Sequence, residues 1–157
     1  MPTPEQGSSQ SRWRRLLRLP AADRWQAVQA VFWLWAVAVA MRVAGVRRVH
    51  DWLARRSESR TGAPADGQAV AVRLARLVDT AARHGLPGHT CLKRSLVLWY
   101  LCRRRGVPVA VVLGARPTAA GLEAHAWVEH DGVVINDEGS VQRDYIPLSW
   151  TTIGRRA

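Results

Sequence analysis

The period of the apolar residues changes once along this chain, at Gly106, and that change dictates helices first and strands after. Before it, Val70, Leu74, Leu77, Val78 and Ala81 fall at i, i+4, i+7, i+8 and i+11, one face of a helix beginning near Gln68. Gly85 offers a C-terminal stop, with Pro87 two residues on. Thr90 can cap a further helix from Cys91 to about Arg105, ended by Gly106. After Gly106, Val109-Ala110-Val111-Val112-Leu113-Gly114 is short, apolar and β-branched, which reads as a strand. A loop holding Arg116-Pro117-Thr118 and Gly121 is expected next, then two strands flanking His130-Asp131-Gly132. The apolar side chains of Tyr145-Ile146-Pro147-Leu148 are expected on the core. The result is an α+β layout, with the Cys91 helix packed on a small antiparallel sheet.

Ahead of this block the signals are helical. Residues 1–20 read as a disordered basic tail, polar to residue 11 and then Arg12-Trp13-Arg14-Arg15-Leu16-Leu17-Arg18. Pro20 precedes a helix starting near Ala21, and a second short helix is expected over 46–56. Residues 57–67 have linker composition. The division is therefore 1–20 tail, 21–67 helical segment and linker, and 68–157 the α+β domain. Residues 30–41 are continuously apolar but short of the roughly 20 that a membrane span needs. They suit a helix packed on the core or on a partner, the favoured reading. With Trp13, Trp25, Trp33, Trp35 and flanking Arg residues, they also suit a membrane surface.

The length of 157 residues allows one domain with a real core, and 22% charged residues mark it as globular. The net charge of +11 points to an acidic peptide, a lipid surface or nucleic acid. All basic residues but Lys93 are Arg, which a genome rich in Arg codons also explains. No zinc-finger or RNA-binding aromatic signature is present, so nucleic acid is not an expected partner. Cys91 and Cys102 on one helix are separated by roughly 16 Å along its axis, too far for a disulfide. The polar start of the chain carries no secretory signal, so a reducing cytoplasm is expected, with peripheral membrane contact as the variant. No Cys/His set has zinc spacing and no Gly-rich phosphate loop occurs, so neither metal nor cofactor is expected.

The chemistry converges on Cys91, His125 and Asp137. A helix N-terminus favours a thiolate and offers backbone N–H groups to an oxyanion, and Lys93 and Arg94 add positive charge. His125 lies in a strand and suits the base, with Asp137 as its orienter and Asn136 as the alternative. Turn length decides whether they meet. A two-residue Asp131-Gly132 turn opposes Asp137 to Ala126 and sends His125 to the other face. A three-residue His130-Asp131-Gly132 loop opposes His125 to Asp137, with Ala126, Val128, Val134 and Asn136 on the second face. The three-residue loop is the expected register. His84 and His89 bracket the helix break; His89 and Trp127 are expected to line the substrate's path. Cys102 reads as a buried apolar residue. Asp131, Asp144 and Glu129 read as turn or surface acids, and His50 and His130 as exposed.

These motifs resemble a family. Cys91-Leu92-Lys93-Arg94-Ser95, Gly106-Val107-Pro108 before a strand ending in Leu113-Gly114, Ala124-His125-Ala126-Trp127-Val128-Glu129 and Asn136-Asp137 resemble the transglutaminase-like leader peptidases of lasso peptide biosynthesis, the B2 proteins, over residues 68–150. The resemblance implies a papain- or transglutaminase-like core and a Cys91–His125–Asp137 peptidase that cuts the leader from a ribosomally made precursor peptide and hands the core to a cyclase. In fused members a winged-helix domain with its own strands binds the leader. Residues 1–67 show no such strands, which implies a separate leader-recognition (B1-type) protein, for which 30–41 is a candidate dock. An acyl transferase or amidase using the same three residues stays open, as does a non-enzymatic helical module.

Overall fold

Three helices precede the sheet in the computed structural model: α1 (Ala21–Ser57), α2 (Gly67–Gly85) and α3 (Cys91–Arg103). It describes residues 21–57, 62, 64–85 and 90–148, and the side chains of 21–24, 84 and 85 fall outside that description. The expectations for the tail, part of the linker and Pro87 lie outside the described residues.

Gly45, at φ 76 and ψ 165, breaks α1 into two helical stretches, the second of which contains the short helix expected over 46–56. No L side chain adopts that backbone readily. α3 is the central element. Ser95 through Cys102 are all buried, the mark of a helix covered on every side. It ends in a Schellman arrangement at Gly106 (φ 75), where Val107 N–H bonds Cys102 O at 3.1 Å and Gly106 N–H bonds Arg103 O at 2.9 Å. α1 packs on it through Trp33, whose ring lies 4.4 Å from Tyr100.

The sheet comprises β1 (Ala110–Thr118), β2 (Gly121–His130), β3 (Val133–Val134) and β4 (Ile146–Pro147), in the order β3-β2-β1-β4 and antiparallel throughout. A short helix, α4 (Val141–Asp144), leads into β4. One face meets the helices through Val109, Val111, Val128 and Ile135. The other carries a second cluster of Val112, Trp127, Val141 and Tyr145, with Val134 against it.

Three expectations need correction here. Arg116-Pro117-Thr118 is strand, not loop. Pro117 pairs with Leu122 beyond the stretch where β4 covers β1, so its missing N–H interrupts no ladder on that side. The hairpin register is the two-residue one, with Glu129 opposite Val134 and His130 opposite Val133. Asp131 (φ 48) and Gly132 (φ 80) take the left-handed backbone of a type I′ turn, whose twist suits the flanking strands better than the expected three-residue loop. Ile135, not Val134, therefore sits over Val128, its N–H bonding Val128 O at 3.0 Å. Tyr145 is buried as expected, but Ile146 is 70% exposed and contributes only its backbone to the edge.

Candidate active site

With the two-residue turn, a regular strand would carry Asp137 away from His125. The chain instead leaves β-structure after Val134. Asn136 holds the departure in place: its side-chain oxygen accepts from Val128 N–H at 2.7 Å, substituting for the next backbone partner. Asn136 Nδ2 donates to Ser95 Oγ at 3.1 Å, and Ser95 Oγ donates to Ala126 O at 3.0 Å. That irregular path returns Asp137 to the imidazole. His125 Nε2 lies 2.6 Å from Asp137 Oδ2, with both side chains about one-fifth exposed. The backbone N–H of Glu138 donates to the other carboxylate oxygen at 2.8 Å and fixes the acid's rotation. Asn136, weighed as orienter, thus serves the backbone instead.

Cys91 opens α3. Thr90 caps it, its hydroxyl accepting from Lys93 N–H at 3.4 Å. Lys93 is the third residue of the helix, and Arg94 N–H bonds back to Thr90 O. The N–H groups of Cys91 and Leu92 are left as helix-end donors. Ser95 lies one turn after Cys91 on the same face, so its bond to Ala126 O brings the start of α3 to the middle of β2, where His125 sits. Arg94, expected to add charge near the thiol, pairs with Asp79 of α2 at 3.0 Å, and Asp79 also holds Arg83. Burial pushes the Cys102 thiol up to about 12, against a smaller opposing pull from Arg105.

The imidazole is held on its faces by aromatic rings. Tyr145 lies 5.1 Å away at 31°, and Trp127 stacks at 6.3 Å and 23°. Gly114, opposite His125 on β1, makes room for them. A Cβ there would lie 2.7 Å from Trp127 and 2.8 Å from Tyr145. Trp127, expected to line the substrate's path, is fully buried, with its indole N–H on Glu129 Oε1 at 2.8 Å. Glu129 is accordingly a buried anchor and not a surface acid; Gln142 donates to the same oxygen at 2.8 Å. His130 is also buried, its Nδ1 2.7 Å from Pro108 O, and His50 lies against Trp99 at 4.8 Å. His89 and the side chain of His84 lie outside the described residues.

Tyr145, Glu123 and Arg116 were not expected at the site. The Tyr145 hydroxyl donates to Glu123 Oε1 at 2.7 Å, and Arg116 reaches Glu123 Oε2 at 2.9 Å while lying 4.7 Å over the tyrosine ring. Tyr145 and then Arg116 hold the Glu123 carboxyl below the ordinary range. The bond to Glu123, and next burial, raise the Tyr145 hydroxyl, against a smaller opposing pull from Arg116. Arg116 and Glu123 are a cross-strand pair because β1 runs on to Thr118, and a stretch that reads as a loop carries no local signal of it.

A family model of the transglutaminase-like superfamily matches residues 33–149. The chain belongs to that superfamily. Membership accounts for the helix-then-sheet order and implies cysteine peptidase or acyl transferase chemistry for this transglutaminase-like chain. The matched span begins inside α1 and ends just beyond β4. No curated protein and no solved structure matches it significantly.

Proposed function

We propose that this chain is a cysteine peptidase that removes the leader from a ribosomally made lasso precursor. It acts in the reducing cytoplasm with a separate leader-binding protein and passes the core peptide to a cyclase. The observation that carries the reading is the 2.6 Å contact of His125 with Asp137, beside the stretch of β2 to which Ser95 ties the Cys91 helix. The motifs around those residues support the lasso assignment.

With Asp137 on Nε2, Nδ1 is the ring nitrogen that takes the Cys91 proton. The thiolate attacks the scissile carbonyl carbon. The N–H groups of Cys91 and Leu92 receive the oxyanion. Collapse breaks the C–N bond, and the leaving amine takes its proton from the imidazolium. Water, deprotonated by His125, then hydrolyses the thioester, releasing the leader's carboxylate and restoring the thiol. Asp137 keeps the imidazole in the useful tautomer and stabilises its charged form.

The test is a reconstituted mixture of precursor, leader-binding protein and this chain, read by mass spectrometry. Cys91→Ala abolishes cleavage and Cys102→Ala retains it. Cleavage by Cys91→Ala would overturn the assignment, and cross-linked instead of hydrolysed products would make the chain an acyl transferase.

A further inference from the structure

The first stretch of α1 has two apolar faces, and the catalytic fold uses one. Ala30, Leu34 and Val37 are each 1% exposed in the core, whereas Trp25, Val28, Phe32, Trp35, Val39 and Val43 are 49 to 83% exposed. The outer six follow one another at three- and four-residue steps, which aligns them along one side of the helix. No charged residue occurs between Arg24 and Arg42. A continuous exposed stripe of this kind marks an interaction surface.

Charge identifies the occupant. Arg12, Arg14, Arg15, Arg18 and Arg24 precede the stripe, Arg42, Arg47 and Arg48 follow it, and between residues 6 and 50 the sole acid is Asp23. Arg42, Arg47 and Arg48 are exposed. An apolar face with no charged side chain, bracketed at both ends by arginine and bearing Trp, matches an anionic lipid interface. A protein groove would call for a polar rim along the stripe's length. We propose that α1 lies in the plane of an anionic phospholipid surface, with this stripe in the acyl region and the arginines at the headgroups. By length and composition the helix from Trp25 could cross a membrane. Its inner face is already committed to the fold, with Trp33 4.4 Å from Tyr100 and 6.0 Å from Trp52, so it lies on the surface and does not span. The break at Gly45 lets the chain leave the lipid plane after Val43.

The test uses the full chain and is independent of peptidase activity. The chain is sedimented with vesicles of phosphatidylcholine alone, or with a quarter of it replaced by phosphatidylglycerol, at low and high salt. Binding to the phosphatidylglycerol vesicles is expected to be about tenfold tighter or more, and to weaken with salt. The double variant Phe32→Glu/Val39→Glu, changed only at exposed positions, is expected to lose it while keeping the wild-type melting curve. Brominated phosphatidylcholine in the same vesicles is expected to quench wild-type Trp fluorescence, a readout that needs no variant. Absence of both sedimentation and quenching would overturn the proposal. So would undiminished binding by the folded double variant. Self-association without vesicle binding would assign the stripe to a second copy, and vesicle-free binding of the leader-recognition protein would assign it to that partner.

Discussion

Gly114 carries the tightest steric constraint at the site. With 2.7 Å to Trp127 and 2.8 Å to Tyr145, an added methyl forces the two rings that hold His125 to move. Gly114→Ala is expected to lower kcat by about 10- to 100-fold, the effect of a misplaced catalytic group, with the fold kept, as read by steady-state kinetics beside circular dichroism. An unchanged kcat would show that the rings do not position the imidazole. Cys102 carries a pH prediction. Its folded value of about 12 exceeds the ordinary 9.0, so the unfolded chain releases this proton first. The contribution is complete below about pH 9 and is lost as pH rises toward 12, at about 1.4 kcal/mol per pH unit. Denaturation midpoints above pH 9 should fall faster for the wild type than for Cys102→Ala; parallel curves would sink the explanation. Cys91, His125 and Asp137 were recognisable as residue types in their settings. Tyr145 was legible only as core, because nothing in its neighbourhood reveals that its hydroxyl turns to Glu123.

At the level of elements, the link between α3 and the β2–β3 hairpin rests on Ser95 and Asn136. Asn136→Ala strips the partner from Val128 N–H and from the Ser95 hydroxyl together. Loss of about 1–3 kcal/mol is expected for such a group left unpaired, measured by urea denaturation. A larger loss of activity than of stability should accompany it, since Asp137 follows directly. A neutral change in both would mean that another contact holds the segment. The helices were legible because 3.6-residue spacing and their end signals agree. Register was not: Asp-Gly suits a two-residue turn, but pairing the acid with the base favoured three. The pairing arises from a chain that abandons the strand, and alternation rules do not describe such a path. Strand β1 ran on through Pro117 because the partner strand on one side stops short, a tertiary fact invisible locally.

Across the whole molecule, α1 shares one apolar core with α2, α3 and the sheet. Leu34→Ala, at a site 1% exposed, is expected to cost about 2–5 kcal/mol and to shift a single unfolding transition. Two separate transitions by calorimetry would make α1 an independent appendage. Sequence alone showed the apolar run of 30–41 but could not assign its faces, because a run apolar all round has no preferred side; only packing divides it. The placement of the two sulfurs has a practical consequence. One opens α3 and the other is sealed in its middle, so toward mild electrophiles the native molecule behaves as if it carried a single thiol. A maleimide dye or spin label could be installed at that helix end without engineering, turning the chain into its own spectroscopic reporter.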